Sequence, residues 1–354
     1  MSARGGLRIG RVIAWALALS LLAACGGDRG RVRIPVPKLP DGPLELRVAF
    51  LVNERLPRPT PAELQTLLDT AAAAMRAHFQ REVRFAATEV HPIELYFAKL
   101  PSSARATADE LIYDFKQGKG DRKRLRKALE ADLRKTGDDL GAMIEYARPH
   151  LLHPVREKSF DALADALIAT QLTRLGALAK ETAPDGRPLI DERPYNEVIY
   201  WDSLARAPLP YEVILTNQVF ASVEYTINSV HSALRGGITN GLTTPNPASR
   251  YGTTAIVSTY PMFGADPVTT ALRANERYTP HDAARYAGVL LAHELGHELW
   301  HLGHPYGRTA CVMSPTPLLH FRRWVEALVP TECPIGGEGA MKPGFAKLYT
   351  LETK

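Results

Sequence analysis

The sequence is short of cysteine, of long apolar runs and of basic segments interleaved with aromatic residues. Three of the 354 residues are cysteine, and no internal repeat is evident. The apolar run Val12 to Ala24 is shorter than the ~20 residues that a membrane-spanning helix needs. The basic run Lys116 to Lys127 contains no aromatic residue and is typical of a solvated helix start. We therefore expect no nucleic-acid partner.

The remaining composition is that of a globular protein. Hydrophobic residues make up 45% of the chain and charged residues 23%, which is ample material for one large domain or two ordinary ones. The formal net charge of +5 includes Arg4, Arg8 and Arg11, and falls to +2 if the segment that holds them is removed.

That segment is predicted to be a lipoprotein signal peptide, residues 1–24. Three arginines precede the apolar core, and Leu22 to Cys25 (LAAC) resembles a bacterial lipobox. Cys25 would then carry acyl chains such as palmitate, and residues 25–43, rich in glycine and proline, would form a flexible tether. We expect the body of the protein to be lipid-anchored in the bacterial cell envelope, at the outer or inner membrane and facing the periplasm. An ordinary signal peptide or a short anchor is the alternative.

Residues 44–354 are predicted to form an α/β domain. Leu44 to Leu51 is strand-like, and Pro61 to Phe79 is an alanine-rich helix with Thr60 as its N-cap. Residues 105–180 show helical patterns throughout and are predicted to be a helical insertion. Residues 235–250 are rich in glycine, asparagine, proline and threonine and are predicted to be a loop, followed by a strand from Thr253 to Tyr260.

The histidines concentrate in one short stretch. Residues His293 to His304 read HELGHELWHLGH and hold four of the eleven histidines. A helix is expected to begin just upstream, with Thr279 as N-cap and Pro280 at the first helical position. His293 and His297 would then lie one turn apart on one face, the spacing that lets two imidazoles share a zinc ion. Glu294 would act as general base toward a water activated by the metal, which is the chemistry of a metallopeptidase.

The motif occurs twice and overlaps, since His297-Glu298-Leu299-Trp300-His301 also satisfies it. His301 lies about 12 Å along a helix from His293 at 1.5 Å per residue, so one straight helix cannot bring both to one ion together with His297. A third ligand must follow a break. Gly303 is predicted to end the helix, which makes His304 the expected third ligand and leaves His301 as the alternative.

The stretch resembles the metzincin metallopeptidases. Cys311-Val312-Met313-Ser314 is similar to the turn whose methionine lies beneath the metal in that family, and Cys333-Pro334 brings the chain nearest to the archaemetzincins. The resemblance covers Leu290 to Pro334. It implies a metzincin-like zincin fold with a mixed sheet and an active-site helix, one zinc ion per chain, and an edge strand, Ala255 to Ser258, that pairs with an extended substrate.

The sequence departs from the family pattern at three points. The helix-ending glycine and the third histidine of the pattern would fall at Trp300 and Gly303, so this chain has one extra residue before His304. Pro305 and Gly336 stand where archaemetzincins have cysteine ligands of a second zinc, so we expect only one ion.

The two cysteines left after lipidation, Cys311 and Cys333, are expected to form a disulfide in an oxidising compartment. Its loop of about 23 residues would contribute roughly 3 kcal/mol by the chain-entropy relation. Tyr306 and Arg308 follow the third ligand closely and are candidates for stabilising an oxyanion.

Two functions are compatible with the sequence. The first is a zinc peptidase, expected to be an endopeptidase, that hydrolyses peptide or protein substrates. The second is an envelope lipoprotein that keeps a zinc ion for structure or metal handling without turnover. A variant of the first would take its third ligand from a downstream glutamate, Glu326, Glu332 or Glu338.

Overall fold

The computed structural model describes residues 33–34, 36–94, 126, 130, 139–190, 209–221, 230–332 and 346–347. The predicted signal peptide, residues 25–32 and 35 of the tether, Cys333 and Glu338 lie outside these residues. Among the described residues, no helix is both long enough and apolar enough to cross a membrane.

The described part of the chain is an α/β structure with a mixed sheet, as predicted. The strands are β1 (Arg33–Ile34), β2 (Leu44–Leu46), β3 (Val48–Val52), β4 (Val83–Phe85), β5 (Glu89–Pro92), β6 (Val213–Thr216), β7 (Phe220–Ala221), β8 (Ile238–Thr239), β9 (Gly241–Pro245), β10 (Thr253–Ser258) and β11 (Ala346–Lys347). The helices are α1 (Pro61–Phe79), α2 (Leu140–Ala147), α3 (Phe160–Leu178), α4 (Val230–Leu234), α5 (Tyr260–Phe263), α6 (Pro267–Leu272), α7 (Pro280–Trp300) and α8 (Phe321–Ala327).

Five strands form the main sheet in the order β5-β3-β6-β10-β9. The first four run parallel, and β9 runs antiparallel to β10 at one edge. Strands β3, β6 and β10 are buried at every position. Because a central parallel strand is covered on both faces, it needs continuous rather than alternating apolar sequence, which β3 (VAFLV) supplies.

The predicted strand Leu44 to Leu51 is divided at Arg47. The Arg47 backbone N–H donates to the buried Glu212 carboxylate at 2.8 Å, and the Arg47 side chain forms an ion pair with the same group. Strand β2 pairs with β4 in a separate two-stranded sheet, while β3 enters the main sheet. A buried charge pair therefore interrupts what the apolar pattern presents as one strand.

The prediction that Ala255 to Ser258 is an edge strand was wrong. Ala255 to Ser258 lies inside the sheet, because β10 pairs with β6 on one side and with β9 on the other. The edge is β9, which falls in the region predicted to be a loop. Its sequence, GLTTP, begins with glycine and ends with proline, which are rare in strands, so the local pattern predicts a loop although β9 pairs with β10.

The helix that carries the histidine stretch packs against the end of the main sheet formed by β10 and β9. Helix α7 packs against α1 and against β9 and β10. The helical insertion is present in part, since α2 and α3 match two of its predicted helices and both pack against α4. Helix α7 begins as predicted, with the Thr279 hydroxyl accepting the Asp282 backbone N–H at 3.1 Å.

The closest approach of α1 and α7 is at Gly288. A Cβ atom at this position would lie 2.4 Å from the Leu67 carbonyl oxygen and 2.7 Å from the Thr70 Cβ. The glycine therefore lets the two helices pack closely together.

We predict that Gly288→Ala lowers the free energy of unfolding by about 1–3 kcal/mol, because the added methyl group must push α1 away from α7. Gly176→Ala is the matched control: Gly176 lies in α3, and a Cβ atom there would meet nothing within 4 Å, so alanine should stabilise the helix by up to ~1 kcal/mol. Urea denaturation of both variants measures the difference. A Gly288→Ala protein as stable as the wild type would contradict this packing.

Candidate metal centre

Helix α7 presents two imidazoles toward one point. His293 and His297 are one helical turn apart, and their Nε2 atoms lie 3.1 Å from each other. His293 is 3% exposed and His297 is partly buried. His293 is therefore buried with the apolar face of α7, whereas His297 is partly accessible to solvent.

The helix ends at Trp300, and the left-handed residue falls two positions before Gly303. His301 takes this conformation, with φ 52° and ψ 38°, and its backbone N–H donates to the His297 carbonyl oxygen at 3.0 Å. Gly303 does not have a positive φ. Histidine tolerates this conformation better than β-branched residues do, so a glycine is not required at the turn. The prediction that Gly303 ends the helix was wrong.

The turn returns the chain to the metal-facing side of the helix. His304 lies three residues beyond the left-handed residue, and its Nε2 is 2.9 Å from the Nε2 of His297 and 3.3 Å from that of His293. The helix thus ends one residue before His301, and the third histidine follows the turn after three residues.

These three nitrogens fit a single tetrahedral metal ion. Zinc–nitrogen bonds of 2.0–2.1 Å at tetrahedral angles place two ligand nitrogens about 3.3 Å apart. The three observed separations are 3.1, 2.9 and 3.3 Å. Among the described residues, His293, His297 and His304 are the group of three or more metal-ligating side chains that could hold an ion.

Backbone carbonyls set the tautomers of both helical histidines. His293 Nδ1 donates to the Val312 carbonyl oxygen at 2.8 Å, and His297 Nδ1 donates to the Leu302 carbonyl oxygen at 2.5 Å. Because a carbonyl can only accept, each ring carries its proton on Nδ1, and the Nε2 lone pairs face each other. Burial also lowers the pKa of His293 to about 4, so the ring is neutral at physiological pH. Neutral imidazoles with converging lone pairs are the state that metal binding requires.

The predicted general base lies beside the ligands. Glu294 is 4% exposed, and its side chain lies against strand β9. Glu298, the base of the overlapping motif, is fully buried on the side of strand β10, where the Thr253 hydroxyl donates to its backbone carbonyl. His301 is buried at 4% exposure and does not belong to the group of three. The geometry thus assembles the first motif rather than the second.

The methionine turn lies directly beneath the ligand helix. A Cβ atom at Gly296 would be 2.4 Å from the Met313 sulfur and 3.0 Å from the Phe79 ring, so the missing side chain makes room for Met313. Val312, the preceding residue, supplies the carbonyl that orients His293. Cys311 is buried and disulfide-bonded. Its expected partner, Cys333, lies outside the described residues.

The two candidates for stabilising an oxyanion differ in burial, and the described alternatives for the third ligand are at the surface. Tyr306 is 2% exposed, and its ring contacts that of Tyr146 edge-on at 5.1 Å. Arg308 is exposed. Glu326 and Glu332 are exposed and are not part of the ligand group, and Glu338 lies outside the described residues.

Two residues at the site were not identified from the sequence. The His231 ring lies 4.8 Å from the His304 ring in an edge-on contact, and burial lowers its pKa well below the ordinary value. Arg235, one turn later, is 3% exposed and donates to the carbonyls of Thr316 and Leu318, which follow the methionine turn. The i, i+4 spacing of His231 and Arg235 is the one feature of the sequence that points to them as a pair. Many surface helices share this spacing.

No protein-family model, curated protein or solved structure gives a significant match to this chain.

We predict that His304→Ala lowers the affinity for zinc at least a hundredfold, because it removes one of three ligand nitrogens. His301→Gly is the matched control, since glycine adopts the left-handed conformation without strain and keeps the turn. Its zinc affinity should stay within a fewfold of the wild type in a chelator competition assay. Equal losses in the two variants would contradict the assignment of the third ligand.

A second prediction concerns the buried Glu298. Burial, and then the charge of Glu212, raise the pKa of the Glu298 carboxyl well above its ordinary value. Above about pH 4.5 the unfolded chain releases a proton that the folded protein retains, so the wild type loses stability as pH rises. The neutral Glu298→Gln should become more stable than the wild type by up to ~1.4 kcal/mol per pH unit in this window. Denaturation of the metal-free proteins between about pH 5 and 8 measures this, and a pH-independent difference would contradict it.

Proposed function

We propose that this protein is a zinc-dependent peptidase with a metzincin-like catalytic centre. The observation that supports this most is the convergence of the three imidazole Nε2 atoms of His293, His297 and His304, with Glu294 next in the sequence to the first of them. Three nitrogen ligands leave one position of a tetrahedral ion for water or substrate, whereas structural zinc sites are usually closed by four protein ligands. A base beside an open position favours hydrolysis over a purely structural site.

Zinc is the metal we propose, since imidazole nitrogens in tetrahedral geometry suit it. When bound, the ion would supply Lewis acidity and make water a nucleophile at neutral pH. The side chains of the chain have separate tasks. His293 and His297 are held by the Val312 and Leu302 carbonyls, so their lone pairs are fixed in direction before any ligand binds. Glu294 accepts the proton of the attacking water and passes it to the leaving amine.

We propose that an extended peptide substrate binds along strand β9. This strand is the last in the order of the main sheet, and both α7 and β11 contact it. A chain paired with β9 on the side of α7 would pass beside the ligand histidines. Backbone pairing at a sheet edge supplies affinity that does not depend on side chains. Glu294 lies against the same strand, which brings substrate and base to one place.

The lipid anchor is part of the same proposal. Cleavage before Cys25 and its acylation would hold the catalytic domain at a membrane of the bacterial envelope through residues 25–43. The support for this is the lipobox LAAC that follows an apolar core and three arginines.

We predict that Glu294→Gln retains one zinc ion per chain and loses at least a thousandfold in peptide hydrolysis, because the amide cannot accept the proton. The substrate is found first, by digesting an unbiased peptide library with the soluble domain and reading the products by mass spectrometry. Glu326→Gln, an exposed residue of α8, is the control and should keep full activity. Hydrolysis that survives in zinc-loaded Glu294→Gln would contradict the role of Glu294 as the base. A wild type that cleaves no peptide would favour the non-catalytic metal-binding alternative.

A further inference from the structure

Two residues of the edge strand contact the predicted base. Gly241 and Thr243 are two positions apart in β9, so they point to the same face of the sheet. That face packs on α7, and both residues lie against Glu294. Neither residue is a metal ligand, and neither belongs to the histidine motif.

Glycine is needed at position 241 because of the Glu294 side chain, not because of the backbone conformation. A Cβ atom at this position would lie 2.4 Å from Oε1 of Glu294 and 2.7 Å from both Cγ and Cδ. The φ angle of Gly241 is not in the left-handed region, so any L-residue could adopt the backbone conformation. The three nearest atoms all belong to the Glu294 side chain, which indicates that the carboxylate occupies the space a side chain would fill.

Thr243 borders the same carboxylate on the other side. Its hydroxyl donates to the backbone carbonyl oxygen of Glu294 at 3.0 Å and lies 3.4 Å from Oε2. A single hydroxyl group therefore ties the strand to the helix backbone and also limits where the carboxylate can move. Rotation of Glu294 is confined between a glycine α-carbon and a threonine hydroxyl.

We propose that Gly241 and Thr243 are positioning residues that hold the Glu294 carboxylate in its working orientation. The kinetic part of this inference rests on the proposed peptidase function, while the structural part does not. A base must be aligned to within about 0.5 Å of its productive position. Contacts from Gly241 and Thr243 that restrict the Glu294 carboxylate should therefore affect turnover more than substrate binding. The strand that is proposed to bind the substrate would thereby also align the base.

Gly241→Ala tests whether the Glu294 carboxylate needs the space that glycine leaves at position 241. The methyl group must displace the carboxylate, so kcat should fall about tenfold or more with KM and zinc content unchanged. The same substitution should lower the melting temperature of the wild type. It should leave the melting temperature of a Glu294→Ala protein unchanged or raise it, since the clashing atoms are then gone. An equal loss of stability in both backgrounds would overturn the inference without reference to activity.

Thr243→Val tests the hydroxyl. We expect kcat to fall about tenfold, because the hydroxyl that borders the Glu294 carboxylate and bonds its backbone carbonyl is lost, and Thr243→Ser to restore it. Thr253→Val is the matched control, because the Thr253 hydroxyl also bonds a carbonyl of α7, that of Glu298, at 3.3 Å, but is on the β10 side. It should lower stability and leave kcat unchanged.

The outcomes separate the two proposals. If the wild type hydrolyses peptides and Glu294→Gln does not, the peptidase function stands, and normal kcat in both Gly241→Ala and Thr243→Val overturns only the positioning role. If the wild type is inactive, the peptidase function fails. The stability comparison in the Glu294→Ala background then still decides whether Gly241 accommodates the carboxylate.

Discussion

The reversal of the chain at His301 is the constraint on which the candidate site depends. A straight helix can offer two histidines to one ion but not three, because successive ligands move away by 1.5 Å per residue. The left-handed conformation of His301 ends α7 and brings the Nε2 of His304 within 2.9 Å of that of His297. The carbonyl of Leu302, just past the turn, orients His297. One backbone conformation thus supplies a ligand and fixes the direction of another.

The surroundings of α7 make this arrangement rigid. Gly288 allows α1 to pack backbone to backbone on one side, and Gly296 admits Met313 beneath the ligands. Gly241 admits the Glu294 carboxylate on the strand side. Each glycine lies where a helix, a methionine or a carboxylate needs the space of a side chain, and in none of them is φ positive. Close packing around one helix, together with the Val312 and Leu302 carbonyls, holds the imidazoles in place before any ion binds.

Local chemistry explains what the sequence could and could not predict. Thr279 as N-cap, the spacing of His293 and His297, and the mixed α/β class follow from nearest-neighbour patterns, and the structure agrees with them. The end of α7 did not follow, because glycine is locally the better left-handed residue, whereas the observed turn uses His301. Strand β9 was missed because its pairing is decided by β10 across the sheet. His231 meets His304 only through the tertiary fold, and its i, i+4 spacing to Arg235 is too common in helices to indicate that contact.

The most direct test of this account is the position of the metal in the zinc-loaded protein. A crystal structure of the soluble domain, with anomalous data collected on both sides of the zinc absorption edge, should show one zinc peak per chain. The peak should lie about 2.0–2.1 Å from Nε2 of His293, His297 and His304, with no fourth protein ligand. A peak coordinated by His301, a site closed by a fourth side chain, or the absence of zinc at these three nitrogens would contradict the account.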